Sequence, residues 1–536
     1  MAIFGIHPEI CEDCGLTTKD KEELAEHIKK IITTTCSKKY NNKKWVREMA
    51  DRKFDVVVLG SGMAGIPAVQ KCLQLNANTA IVIGHLLGGT CLNVGCIPTK
   101  AIWQADHMEK EIEKSRKKFS YSIKKENGKF HDFTSVMEYQ AKIVNGLMGL
   151  TSDKIKQWGA KVIGGKGALR TKNEVITEDG QILQADKIFI ATGSKYKVPR
   201  LDGIQYAIDG DQALKLRKFP GRKRVFIIGG GFGGLEYATF FAPFAESIFL
   251  STLKSTTFPQ DKDVDTLLEK KLHAQGITVL HKDKVKKIEK VSAEQTSSTD
   301  NGQSKNHDNN SKSQEQEQEL HLEHPLTVYH EAFNGTIQKT EVDLVLYMTI
   351  RIPNVEGLNL DTIGVEYDKL GIKVNEYLQT SVPHIYAGGD VTDTTKKLTA
   401  VGNLDGEYAA LNMVKGNTRK REDLNLAVEV MYTEPPIAHV GIMEEDAKEK
   451  GIKYSKVKTD YNKFPRGIIN GNWNEQDGFI KTLFEEDSGK LIGGRVYGED
   501  ADNLIHVIMV AMRAGMTTYD LGNLPFFHPS LAEGVR

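Results

Sequence analysis

The stretch FDVVVLGSGMAG, Phe54–Gly65, sets an apolar run against three glycines at Gly60, Gly62 and Gly65. An apolar strand followed by G-x-G-x-x-G predicts a tight turn into a helix, because glycines let the backbone approach a pyrophosphate at the helix N-terminus. The same plan returns in RVFIIGGGFGG, with Gly229, Gly231 and Gly234. One such match is weak evidence. Two, each in strand-to-helix context, indicate two dinucleotide sites in one chain; the alternative is a pair of plain doubly wound domains with tight turns.

Working outward, 536 residues are too many for one hydrophobic core, so about three to five domains are expected. Seventy-one basic residues balance seventy-one acidic ones. No global field therefore draws the protein toward nucleic acid or anionic lipid, and small diffusible partners are expected instead. No apolar run is long enough to span a bilayer, and the first residues lack the basic-then-apolar order of a secretory signal. A soluble, cytoplasmic protein is expected, in which six cysteines are redox, metal or buried residues rather than structural staples.

The segment 292–324 is polar and nearly free of apolar residues, so it cannot offset its chain entropy by burial and is expected to be disordered. Strand-like runs flank it, KVKKIEKV and PLTVYHEAF, which places it at an enlarged hairpin tip. Further strands are expected in VDLVLYM, GIKVNEYLQT and HIYAGGDV, and an α+β pattern from about Asn425 onward.

The stretch GGTCLNVGCIPTK, Gly88–Lys100, carries the chemistry. Its glycines let the chain pass close to a flat ligand, and Cys91 and Cys96 bracket a distorted first helical turn. A helix N-terminus stabilises thiolates, so either sulfur can attack near neutral pH. A disulfide between them would close a small strained loop that reduces more readily than a structural one. Inert buried thiols are the alternative.

Together with ATGS, GGGFGGLE, HIYAGGDV, YTEPPIAHVG and HPSLAE, taken in this order, the chain from about Lys53 onward resembles the flavoprotein disulfide reductases. It is most similar to dihydrolipoamide dehydrogenase, with mercuric and glutathione reductases as relatives. The resemblance implies an α/β fold of two Rossmann-like domains, for FAD and NAD(P), plus a C-terminal α+β dimerisation domain. The expected boundaries are an N-terminal extension at 1–50, an FAD-binding unit in two parts at 51–200 and 346–424, an NAD(P)-binding unit at 201–345, and an interface unit at 425–536. It further implies that Cys96 faces the flavin while Cys91 exchanges with a small disulfide or dithiol. Gly60, Gly62, Gly65, Thr90, Gly193 and Asp390 would serve FAD, and Gly229, Gly231 and Gly234 the NADH or NADPH. Lys100 would lie near the flavin N5 edge with Glu236 as its ion-pair partner. His528, oriented by Glu533, would carry protons to the first cysteine of the other subunit, so a homodimer is implied; an imidazole suits that task because it titrates near working pH.

Several positions depart from this pattern. No acid occurs from Ile66 to Ala105, and Ile83 or Gly84 stands where an acid would accept hydrogen bonds from the FAD adenosine ribose. In the second fold Ser251 occupies the expected place, with Lys254 close by, which favours NADPH. Gly233 and Ile350 replace the usual apolar residue and glycine. Cys72 is read as a core residue. Cys11, Cys14 and His27 have the spacing of three zinc ligands, with Cys36 as a fourth, but the His27–Cys36 interval is too long, so a small helical extension is expected and no metal ligand is assigned. Two other readings stand beside the disulfide reductase: an NADPH-dependent metal-ion reductase, against which the lack of a C-terminal cysteine pair counts, and a cofactor-poor pseudoenzyme acting as a binding protein.

Overall fold

The computed structural model describes residues 52–84, 86–120, 132–219, 224–258, 261–291 and 325–536. Cys11, Cys14, His27, Cys36 and the 292–324 insertion lie outside them. The first apolar run forms strand β1 (Arg52–Leu59), whose Val56, Val57, Val58 and Leu59 are fully buried. After it, Gly60 takes φ +109°, and a Cβ there would lie 2.3 Å from the Ala191 carbonyl oxygen, so only glycine completes the turn into α1 (Gly65–Gln74). The chain returns through β2 (Thr79–Ile83), which pairs with β1 in parallel and aligns Leu59 with Val82. Helices α2 (Gly89–Val94) and α3 (Cys96–Phe119) follow, separated by the single residue Gly95. On the other side of β1 lies β3 (Ile182–Ile190), and Ile385–Ala387 joins its far edge. The two chain segments expected to share the FAD unit therefore meet in one seven-stranded sheet. Cys72 on α1 is buried in the core beneath this sheet.

The second apolar run repeats the arrangement. Strand β4 (Arg224–Ile228) leads through Gly229 into α4 (Phe232–Phe241), then β5 (Ser247–Thr252), α5 (Lys262–Ala274) and β6 (Ile277–His281). These strands join Leu344–Tyr347 and Ile208–Asp209 in a five-stranded parallel sheet. Lys284–Lys290 pairs antiparallel with Leu326–Glu331, aligning Lys290 with Leu326, so the long insertion connects the ends of two paired strands.

The helix α6 (Thr399–Lys415) packs on α1, so closely that a Cβ on Gly406 would lie 2.1 Å from the Ala64 carbonyl oxygen. Beyond it, an antiparallel sheet of five strands includes β7 (Phe479–Glu485) and β8 (Leu491–Tyr497), with the Ala501–Arg513 helix against it. Fold class follows the sequence expectation.

Two local readings are corrected. GIKVNEYLQT is not a strand beyond Gly371–Ile372: the Asn375 side chain accepts hydrogen bonds from the N–H groups of Tyr377 and Gln379 at 2.9 and 3.1 Å, and Leu378 takes φ +64°, which closes a turn. Ser251 is not the counterpart of the ribose-binding acid. Parallel register pairs Ile228 with Ser251 just as it pairs Leu59 with Val82, so the position equivalent to Ile83 is Thr252. The Ser251 hydroxyl is buried and donates to Asp283 Oδ1 at 2.6 Å.

Candidate active site

Cys91 lies within α2 and Cys96 is the first residue of α3, so the pair spans a break between two helices rather than a distorted single turn. Among the described residues no side chain caps α3, which leaves its N-terminal N–H groups and positive dipole end at Cys96. The two sulfurs are free thiols with opposite tendencies to hold a proton. The hydrogen bond from Cys91 lowers Cys96 to about 6 against the opposing effect of burial, with the Thr399 hydroxyl and the Lys100 ammonium assisting. The same shared proton raises Cys91 far above the ordinary thiol range, and burial adds to it. Thr399, the first residue of α6, places its Oγ1 3.2 Å from Cys96 Sγ.

One turn along α3, Lys100 Nζ lies 3.0 Å from Glu236 Oε1 on α4. The same oxygen accepts the Tyr432 N–H at 2.9 Å, and the Tyr432 ring lies 4.5 Å beneath the ammonium. The ion pair therefore ties the cysteine helix to the second dinucleotide fold and to the C-terminal third of the chain.

On the first fold, Gly89 has φ +63°, and a Cβ there would lie 2.6 Å from Gly62 Cα. The glycine turn before α1 and the turn before α2 thus almost touch, with Thr90 next in line. Gly193 takes φ +72° just beyond β3, and its carbonyl accepts the Asn354 N–H at 2.9 Å. Asp390 Oδ2 accepts the Ser194 hydroxyl at 2.8 Å, and Lys397 holds the Asp390 carbonyl at 2.7 Å. On the second fold, Cβ atoms on Gly229 and Gly234 would lie 2.5 Å from the Met348 carbonyl oxygen and 1.8 Å from that of Gly229, while one on Gly231 would meet nothing within 4 Å. Gly233 approaches Met348 Cε to 3.1 Å by the same measure, and Ile350 is exposed.

Residues 54–406 match the model of the pyridine nucleotide-disulphide oxidoreductases, and residues 428–536 match the dimerisation domain of the same group. The chain belongs to this family. Among its relatives, dihydrolipoyl dehydrogenase of Bacillus subtilis is 29% identical over 89% of this chain and 94% of its own length. The Buchnera aphidicola dihydrolipoyl dehydrogenase is 30% identical over 90% and 94%. Mercuric reductase of Staphylococcus aureus is 28% identical over 91% and 82%. In fold, the chain matches the Cu(II) complex of the flavoprotein disulfide reductase RclA from Escherichia coli with a TM-score of 0.73 and 22% identity, covering 90% of this chain and 98% of that one.

As a pyridine nucleotide-disulphide oxidoreductase related to dihydrolipoyl dehydrogenases, the protein is an enzyme that uses FAD and NAD(P)H. The residues present fit FAD: the approach of Gly62 to Gly89 forms a cradle that a Cβ at Gly89 would fill, at the N-terminus of α1. Ile83, which closes β2, and Gly84 after it supply no ribose-binding carboxylate. His528 and Glu533 pair with each other, Nδ1 to Oε1 at 3.0 Å, and 63% of the His528 side chain is exposed. Among the described residues of this chain, neither bonds Cys91 or Cys96. Sequence reasoning missed Thr399, Ser194 and Tyr432. Ser194 and Tyr432 stand inside motifs already quoted, ATGS and YTEPPIAHVG, whereas Thr399 lies 303 positions from Cys96 with no local signal.

Proposed function

We propose that this family member reduces a small disulfide, or oxidises the matching dithiol, through a Cys91–Cys96 redox couple, within a homodimer. The placement of the two sulfurs carries the reading: Cys91 within α2 and Cys96 at the start of α3, with the Thr399 hydroxyl 3.2 Å away. FAD, when held by Gly60, Gly62, Gly65, Thr90, Gly193 and Asp390, would supply the route by which the two electrons of NAD(P)H reach the couple. Cys96, at the N-terminus of α3 and beside Thr399 and Lys100, holds the negative charge, while Cys91 holds the proton. Because Cys91 keeps its proton, it needs a base before it can attack, and His528 of a second copy, oriented by Glu533, fills that role. Cys91 then forms a mixed disulfide with one half of the substrate and releases the other half as a thiolate, which the imidazolium protonates. Cys96 attacks Cys91, breaks the mixed disulfide and releases the second thiolate, which takes its proton from solvent, leaving the Cys91–Cys96 disulfide; one disulfide becomes two thiols.

The fold supports a division into an FAD unit at 51–200 and 346–424, a nucleotide unit at 201–345, and an interface unit at 425–536. Gly60, Gly62, Gly65, Thr90, Gly193 and Asp390 serve FAD. Gly229, Gly231 and Gly234 serve the nucleotide, and the Lys100–Glu236 pair stands between the two. Among the described residues no helix is long and apolar enough to cross a membrane.

The test uses two variants and lipoamide or glutathione disulfide as substrate. Cys91→Ser is expected to abolish disulfide reduction while NAD(P)H still bleaches the bound flavin. Mixing subunits of Cys91→Ser with His528→Ala is expected to restore about a quarter of wild-type activity, because each mixed dimer rebuilds one intact site. Undiminished disulfide reduction by Cys91→Ser would remove the exchange role, and no recovery on mixing would remove the crossing of His528.

A further inference from the structure

We propose that the second dinucleotide fold selects a 2′-phosphorylated nicotinamide dinucleotide, NADPH over NADH, and that Lys254 is the selecting residue. The inference rests on the reading of Gly229–Gly234 as the nucleotide turn and deepens it.

In folds of this kind, an acid about twenty residues beyond the glycine turn accepts hydrogen bonds from the ribose 2′-hydroxyl of NADH, whereas a basic residue nearby accommodates the 2′-phosphate of NADPH. Strand register identifies Thr252, the last residue of β5, as that position. Thr252 is buried, its Oγ1 accepts the Lys254 N–H at 3.2 Å, and its Cβ lies 2.6 Å from where a Cβ on Gly230 would stand. It offers no carboxylate.

Nor does any neighbour supply one. Asp283, just past β6, is buried with Oδ1 accepting from Ser251 and Oδ2 2.5 Å from His330 Nδ1. Asp261 is engaged by Lys481 at 2.9 Å and Arg495 at 3.1 Å, and Asp263 by Lys481 at 2.6 Å. Asp265 accepts the Phe258 N–H at 2.7 Å, and Glu269 pairs with His281 at 3.0 Å. All five carboxylates between the end of β5 and the loop after β6 have partners among the described residues.

Two cations have none of these acids. Lys254 is exposed, two residues past the end of β5, with no carboxylate oxygen within 4.0 Å among the described residues. Lys282, exposed just past β6, donates its backbone N–H to the Lys254 carbonyl at 3.0 Å, so the loops after neighbouring strands are tied together. Its ammonium lies 4.0 Å over the Phe333 ring. The Lys254 loop is also anchored at its far end, where Phe258 packs 5.0 Å beneath the Arg495 guanidinium and Asp261 grips Lys481. A dianionic 2′-phosphate would find a fixed loop bearing unpaired ammonium charge; a 2′-hydroxyl would find no charged acceptor.

The experiment titrates the full-length holoenzyme calorimetrically with 2′,5′-ADP and with 5′-AMP, which differ only in the 2′-phosphate. Binding of 2′,5′-ADP is expected to be about tenfold tighter and to weaken with added salt. Lys254→Glu should remove that advantage and leave AMP affinity within about twofold, and Lys254→Arg should retain it. Equal affinities in the wild type, or equal weakening of both ligands by Lys254→Glu, would overturn the selection while leaving the nucleotide turn in place. Binding of neither ligand, nor of NADH or NADPH, would overturn both the selection and the reading of the turn.

Discussion

Cys91 and Cys96 are the same side chain five positions apart, and their surroundings alone separate them. Cys96 begins a helix, receives the Cys91 proton and lies beside a hydroxyl and an ammonium; Cys91 sits within the preceding short helix and supplies the proton. Helix dipole and hydrogen bonds to the charged form both favour the thiolate at Cys96, and they outweigh the burial that opposes it. Thr399 is the component that can be removed without touching either sulfur. In the reduced protein, Thr399→Val is expected to raise the Cys96 titration midpoint by about one unit, the effect of losing one hydrogen bond to a charged group. Thr399→Ser should restore it. The midpoint is read from the pH dependence of iodoacetamide labelling of the Cys96 peptide, and an unmoved midpoint in the valine variant would show that Thr399 is only a neighbour.

At the scale of elements, the two glycine turns and the break between α2 and α3 set the geometry on which the chemistry depends. The first turn and the residues before α2 approach so closely that glycine is required at position 89 by both φ and space. Gly89→Ala is expected to cost about 1 to 3 kcal/mol through strained backbone and to shift the neighbouring turn. The measurable outcome is a lower melting temperature together with faster loss of FAD on dialysis; a variant that keeps both would show that the cradle yields more easily than its spacing implies. Much of this level was legible in sequence, because strand-turn-helix units are local: the apolar runs and glycine spacings announced β1, α1, β4 and α4. What misled was also local in appearance. GIKVNEYLQT has the alternation of a strand, yet the Asn375 side chain bonds backbone groups within the same segment and turns the chain. Counting along the sequence puts Ser251 where the register puts Thr252, because a count does not reveal where a strand ends relative to its neighbour.

At the scale of the molecule, a buried ionic junction joins the second dinucleotide fold to the antiparallel sheet. Lys481 on β7 is fully buried and meets Asp261, Asp263 and Glu444, while Arg495 on β8 shares Asp261. Asp261 also caps the N-terminus of α5, so one carboxylate starts a helix and links two units. Burial favours the neutral forms of Asp263 and Glu444, but the lysines around them win, and both carboxyls are held below their ordinary range. Their contribution is therefore complete above their unfolded values of about 4 and is lost as pH falls through the lower folded values. Lys481→Met should destabilise the protein by about 3 kcal/mol near neutral pH, since it leaves the buried Asp261 with Arg495 alone and takes the ion pair from Asp263. The difference in urea midpoint between variant and wild type should shrink below about pH 4; a difference independent of pH would assign the loss to packing. The chain by itself determined the fold class and the family, because those rest on short-range spacing and on motifs that keep their meaning without coordinates. Only the tertiary structure decided that Thr399 lies beside Cys96, which residue ends β5 and which cations among the described residues keep no acid beside them. Each depends on groups that folding brings together, from Ile228 and Ser251 on paired strands to Thr399, 303 positions from Cys96, and electrostatic and hydrogen-bond energies are set by distance in space.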